Sequence, residues 1–515
     1  MIRMFSLLFA AAALWACDAF NNDLVFPETF QWGAATAAHQ IEGNNTNNNW
    51  YQFETLAKFK GKTRDVSGVA ADSYVRFEED VALAKGLGLN ANRISIEWSR
   101  VEPKRDQWDE EAIAHYGAVI DAIVAAGMRP MITLHHFTDP IWVNDLSKSG
   151  DCDKSEGQPV DDTNLCGWSN SEVRDEWVEF AAEMAKHFGD RVDDWITFNE
   201  PVGVLVSGYM YGVFPPGKTL VPFEKLGLKV LRQMIDAHAG AYDAIHQADQ
   251  IDADHDGKNA MVGFSQAVGL YVPADPNNGE HQLAARQAEY FLNFHFVDAL
   301  IKGGLDTNID EVIDEAHPSW KGKLDYLGLQ YYFRAPTSYF PLVKPFVFAP
   351  CLGQIDALLP GAGEMLGCPK VSPENLTTMG YEHFPQGIYE LGKAFSERYA
   401  GLPLVITENG IATGNGKRRA QSLVRHLEWL HRLIEEDVDL RGYYHWSLLD
   451  NFEWAEGFSQ SFGLHTVDYN TLERKANEGA DAYQKILRAG GRISQELRED
   501  YGGNTPMADE SPAHD

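Results

Sequence analysis

Short β-like runs alternate with amphipathic helical stretches along almost the whole chain. The runs cover residues 32–37, 91–98, 130–135, 194–199, 260–268, 324–331, 403–408 and 443–448. Helical periodicity fills the gaps, at 76–87, 110–126, 171–188 and 416–435 among others. A parallel sheet needs a crossover between successive strands. Eight such β/α units can leave no open edge if the sheet closes on itself. The spacing therefore predicts an α/β fold, a single (β/α)8 TIM barrel. The 515-residue length fits, because barrels with insertions run past about 400 residues as one domain. No low-complexity linker interrupts residues 24 to 497. Long insertions at 142–168 and 334–379 follow the third and sixth runs, on the C-terminal face of the barrel. The second contains Phe340, Leu342, Val343, Phe346, Val347 and Phe348. This apolar stretch would line a leaving-group pocket or shelter other protein surface.

Polar residues collect at the C-terminal ends of these runs: Gln40, Arg93, His136, Asn199, Glu200, Tyr332 and Glu408, with Trp446. That end is where barrel enzymes build their sites. Two motifs stand out, Thr197-Phe198-Asn199-Glu200-Pro201 and Ile406-Thr407-Glu408-Asn409-Gly410. Each places one carboxylate at the end of an apolar run. Two carboxylates on one pocket are the machinery for cleaving a glycosidic bond. One of the pair, ionised, would attack the anomeric carbon. Its charge would disfavour ionisation of the other and keep that group a proton donor. Once the sugar esterifies the first, the second would lose its proton and activate water. The expected outcome is retention, with the carboxyl groups about 5–5.5 Å apart.

Composition narrows the partners. The formal charge is −32, from 43 basic and 75 acidic residues, a field that repels phosphate backbones and argues against nucleic acid. Thirteen tryptophans and twenty tyrosines suit stacking on a sugar ring but serve large cores equally well. Residues 1–19 read as a targeting segment, with Arg3 ahead of an apolar run at 5–15 too short to span a bilayer. Export is expected, and the loose lipoprotein-like box at Cys17 leaves two outcomes open, a lipid anchor on Cys17 or simple cleavage of the segment. The other cysteines form two close sequence pairs. In an oxidising compartment the pairing would be Cys152–Cys166 and Cys351–Cys368. No cofactor or metal is expected. Asp252-Ala253-Asp254-His255-Asp256-Gly257 begins like a calcium loop, but the twelfth position is Gly263, and an Asp/Gly turn is the reading. The barrel proper is placed at 20–498, and the polar stretch 499–515 is read as a disordered tail.

The motifs together resemble the family 1 glycoside hydrolases, the β-glucosidase and β-galactosidase group. The resemblance runs from Phe26-Pro27 to Tyr483 and includes Trp446-Ser447-Leu448-Leu449-Asp450-Asn451-Phe452-Glu453-Trp454. It implies Glu200 as acid/base and Glu408 as nucleophile. Arg93 and Tyr332 would hold the nucleophile, and Asn199 the sugar 2-hydroxyl. Gln40, His136 and Glu453 would read the other hydroxyls, with Trp454 beside them and Trp446 under the ring. His135 is read as a core histidine. The chain departs from the family at Gln330, where Asn is usual, and at Phe137, where Trp is commoner. The implied activity is an exo-acting, retaining β-glycosidase of the β-glucosidase kind, acting on terminal non-reducing β-D-glycosyl units. A carboxylate at Glu453 would repel a 6-phosphate, which argues against 6-phospho-sugars. Two other functions fit less well. A transglycosidase would pass the glycosyl group to an alcohol or sugar, with the apolar insertion as acceptor site. A non-catalytic sugar-binding relative would be expected to have lost one carboxylate, and both are present.

Overall fold

Eight parallel strands form the centre of the molecule: β1 (Gln31–Ala35), β2 (Ala91–Ser95), β3 (Arg129–His135), β4 (Asp194–Asn199), β5 (Met261–Pro273), β6 (Tyr326–Tyr339), β7 (Leu404–Asn409) and β8 (Leu440–Trp446). Each pairs with the next, and β8 pairs with β1 through Tyr443 opposite Trp32 and Trp446 opposite Ala35, which closes the barrel. The computed structural model describes residues 23–154, 161–341, 344–353, 361–503 and 505–509. The targeting segment with Cys17, the pair Leu342 and Val343, and the residues after 509 lie outside them.

A helix follows every strand: α1 (Ser73–Leu87), α2 (Glu110–Ala125), α3 (Ser171–Phe188), α4 (Leu228–Ala248), α5 (His295–Lys302), α6 (Gln386–Arg398), α7 (Gly416–Glu435) and α8 (Glu478–Arg488). Several starts are written locally. Asp109, Asn170, Asn415 and Asn477 each accept backbone N–H groups of the first turn. Period-two alternation sorts the strand side chains. Ala35, Ala91, Met131, Ile196, Tyr326, Val405 and Tyr444 form one cluster inside the barrel. Trp32, Ile132, Trp195, Phe264, Leu327, Ile406 and Tyr443 belong to the core beneath the helices. Gly33 is required by this filling, since a Cβ there would lie 2.2 Å from the Tyr444 ring.

Strands β5 and β6 stay paired beyond the barrel, with Leu270 opposite Arg334 and Pro273 opposite Thr337. The short strand Phe348–Pro350 adds antiparallel to the end of β6. The 334–379 insertion thus grows out of a strand extension. Its Phe346 packs on Phe223 and Phe291 at 4.8 and 4.5 Å, and Phe348 packs on Phe346. These rings shelter other protein surface, the second of the two alternatives for the apolar stretch. The cysteines pair as Cys152–Cys166 and Cys351–Cys368.

The segment at 252–257 folds as an Asp-rich turn. Asp252 accepts the backbone N–H groups of Asp256 and Gly257, Asp193 accepts those of Ala253 and Asp254, and Arg129 pairs with Asp254. The tail differs from expectation. A helix spans Gln495–Tyr501, and residues 505–509 lie along α7. Arg425 donates to Thr505 O, Gln421 to Pro506 O, Arg418 to Ala508 O and Asn415 to Asp509 O. Composition by itself points to disorder here. The cations and amides of α7 satisfy this backbone, which composition cannot register.

Candidate active site

The two glutamates stand three strands apart on the same rim. Glu408 ends β7 in extended strand conformation. Glu200 follows β4 in the left-handed region (φ 48°, ψ 58°), its N–H bonded to Ser265 O at 2.8 Å. A non-glycine residue held there is strained by about 1–3 kcal/mol and persists only where its surroundings fix it. Pro201 then starts a helical turn at its favoured first position. Gly203 leaves room for the carboxyl, because a Cβ there would stand 3.3 Å from Glu200 Oε2.

Arg93, fully buried on β2, ties the centre together. It donates to Glu408 Oε1 at 2.6 Å, to Asn199 Oδ1 at 2.7 Å and to Thr133 Oγ1 at 3.0 Å. Tyr332 OH donates to Glu408 Oε2 at 2.7 Å. Both oxygens of Glu408 therefore carry a donor. Among the described residues none is bonded to the Glu200 carboxyl. Burial, followed by the charge of Glu408, pushes Glu200 up to about 8, against a smaller downward pull from Arg93. Burial raises Glu408 too, but Arg93 and Tyr332 oppose it. The environments separate the pair, so that Glu408 ionises and Glu200 keeps its proton.

The amides around them have fixed orientations. Asn199 Oδ1 receives both Arg93 and Gln330 Nε2, the latter at 2.7 Å, so its Nδ2 is left as a buried donor with no protein partner. Gln330, longer by one methylene than the usual Asn, uses that reach to hold Asn199. Gln40 Nε2 donates to Asn451 Oδ1 and Phe452 O, each at 2.9 Å, and its Oε1 is a buried acceptor without a partner. His136 Nδ1 is likewise unpartnered. Burial, with Arg93 and His135 nearby, holds His136 well below the usual histidine range, so the ring is neutral. It lies between Trp446 and Trp454, 5.9 Å from each and within 20° of parallel. Burial and the charge of Glu408 push Glu453 up to about 8. Buried polar atoms rarely go unpaired. Here an acceptor, a donor and a neutral imidazole are open beside two carboxyl groups, which suits a neutral polyol.

The structure thus brings Gln40, Arg93, His136, Asn199, Glu200, Tyr332, Glu408, Trp446, Glu453 and Trp454 to one rim. His135 instead bonds Asp139 at 3.0 Å within a ring of Trp168, Trp177 and Phe198. Phe137, in left-handed conformation, packs on Phe214 and Trp454. Thr133, Asn451 and the supporting role of Gln330 went unread. Thr133 had one visible signal, a polar side chain two positions after inward-facing Met131.

Known proteins share this architecture. The family model described as glycosyl hydrolase family 1 matches residues 22–492. A β-galactosidase from Pyrococcus woesei is 32% identical over 525 residues, covering 92% of this chain and 99% of that protein. The solved β-glycosidase from Pyrococcus horikoshii superposes with a TM-score of 0.78 at 33% identity, covering 94% of this chain and all of that one. A β-glucosidase from Thermotoga maritima in complex with glucoimidazole gives 0.75 at 29% identity, covering 91% and 99%.

Proposed function

The chain belongs to glycosyl hydrolase family 1 and is a glycoside hydrolase, and from that premise we propose that it is a retaining, exo-acting β-glucosidase. The observation that carries the mechanism is the contrast between its two carboxyl groups, one with a donor on each oxygen and one with none. In this reading Glu408 attacks the anomeric carbon of a terminal β-D-glucosyl unit. Glu200 passes its proton to the leaving oxygen, and a covalent glycosyl-enzyme forms. Esterification removes the charge that kept Glu200 protonated. Glu200 then takes a proton from water, which releases the sugar with its configuration retained. Asn199 Nδ2 and Gln40 Oε1 take sugar hydroxyls, and Trp446 lies under the ring. A glucose-like inhibitor bound to the Thermotoga maritima relative supports glucose as the sugar.

A panel of aryl β-glycosides tests this. Glucosides should be cleaved fastest, with the β anomer of glucose appearing first by NMR. Glu408→Ala should lower kcat at least about 10³-fold. First release of the α anomer, or undiminished turnover in that variant, would sink the mechanism. The transglycosidase reading has less to support it, since Phe346 packs on Phe223 and Phe291 and Phe348 on Phe346. Export, with or without a lipid on Cys17, is proposed as well, supported by the two disulfides. Cell fractionation and detergent partitioning of a Cys17→Ser variant would check it.

A further inference from the structure

Behind Gln40 the chain makes a tight turn that is tied at several points to other parts of the fold. Ala38 N donates to Ser95 Oγ at 2.7 Å, Ala71 N to Ile41 O at 3.1 Å and Asn44 N to Gly68 O at 2.6 Å. Gly43 takes a positive φ of 78° and packs against the Val69 carbonyl so closely that no Cβ fits. The centre of this turn is a buried carboxylate, Glu42, two residues from the sugar-facing Gln40. Tyr116 OH donates to both its oxygens, at 2.9 and 3.1 Å. Arg100 Nε stands 2.8 Å from Glu42 Oε2 with its N–H turned off the oxygen. Arg100 also donates to Gly43 O at 2.6 Å, and its guanidinium lies 4.2 Å over the Tyr74 ring. One cation therefore grips both the side chain and the backbone of the turn.

A cavity of about 50 Å³ adjoins this group, between the barrel wall and helices α1 and α2. Asn92 Oδ1, on its wall, is buried without a partner, and the space is large enough for a water that would bond it. The charged and titratable groups facing Glu42 are Arg100 and Glu97 after β2, Tyr116 and His115 on α2, and Tyr74 and Asp80 on α1. Asp80 is already paired with Arg474. None of them belongs to the catalytic constellation.

We propose that Glu42 and Arg100 are positioning residues for Gln40, and that the ionisation of Glu42 sets how tightly the enzyme holds the sugar. The inference rests on the β-glucosidase reading, since Gln40 matters only if it reads a sugar hydroxyl. With Glu42 ionised, Arg100 pins the turn and Gln40 Oε1 is preset for its hydroxyl. With Glu42 protonated the ion pair is gone, Arg100 grips only the Gly43 carbonyl, and the backbone under Gln40 can shift while its amide stays on Asn451 and Phe452, which moves Oε1 off its preset place. Burial pushes Glu42 up to about 7, against the pull of Arg100, so both states are populated near neutrality.

The test is the KM for an aryl β-glucoside and the Kd for glucose, by calorimetry, from about pH 6 to about pH 8. In the wild type both should fall several-fold as pH rises through about 7. Glu42→Gln should abolish the fall near pH 7 and leave both at the weak, acid-side value there, with kcat nearly unchanged, and any change toward pH 8 that belongs to Glu453 should be the same in both proteins. Arg100→Lys, which keeps the charge, should give intermediate values. Tyr116→Phe, which removes a donor to Glu42, should move the midpoint upward. Wild-type KM, Kd and pH profile in the variants that fold would overturn the proposal. A wild type that binds glucose as described but cleaves no β-glucoside would count against the functional reading alone.

Discussion

Between Glu200 and Glu408 the chemistry is decided by which neighbours reach which oxygen. Replacing Glu200 by Gln should lower kcat about 10²–10⁴-fold on alkyl glucosides, which need a proton on the leaving oxygen. It should change formation of the glycosyl-enzyme little on dinitrophenyl glucosides, which do not, and burst kinetics would show the difference. Activity should fall as pH rises through about 8, where Glu200 loses its proton. The same shift makes a stability prediction. A carboxyl raised from 4.5 to about 8 contributes stability that is fully present below 4.5 and lost as pH rises through about 8. Gln does not titrate. Glu200→Gln should therefore raise the thermal midpoint relative to wild type at about pH 8, and much less at about pH 5. Calorimetry at the two pH values checks the sign. The glutamates and Arg93 were legible because each ends a readable strand. Gln330 stands in the sequence only as a departure from the usual Asn. Its bond to Asn199 joins β6 to β4, a pairing no local pattern contains.

At the scale of elements, the starts of all eight strands and both ends of the four helices named from periodicity fall within a few residues of their sequence positions. Strand β5 runs to Pro273 and β6 to Tyr339, well past the runs that predicted them. The extension is polar and aromatic by turns and depends on its partner, Tyr271 opposite Ala335 and Val272 opposite Pro336, so no single run declares it. The tail shows the same effect. Arg418 on α7 donates to Ala508 O and to Glu374 O and Leu376 O, clasping the tail and the sixth-strand insertion together. Deleting residues 503–515 should lower stability by a few kcal/mol, at about 1 kcal/mol for each bond lost. The thermal midpoint should drop, and hydrogen exchange should rise at residues 374–376. An unchanged midpoint would mean that the strap contributes nothing.

Across the whole molecule, two disulfides and a large negative charge act in opposite directions. The bridges close loops at sequence separations of 14 and 17, each stabilising by about 3 kcal/mol in the chain-entropy account. Reduction should lower the thermal midpoint, and peptide mapping should show the two pairs intact beforehand. The charge of −32 repels itself, so added salt should raise the midpoint in a scan at fixed pH. By itself the sequence determined the barrel and the residues on its rim, because strand periodicity, crossover helices and strand-end motifs are all local. It also matched the cysteines, since each pair is close in the chain. Only the tertiary structure decided that Asn199 presents its amide nitrogen, that Phe346 and Phe348 turn toward other surface, and that Arg100 grips the turn behind Gln40. Those facts depend on which distant group arrives with a hydrogen bond or a ring, and closure of the barrel alone brings such groups within reach.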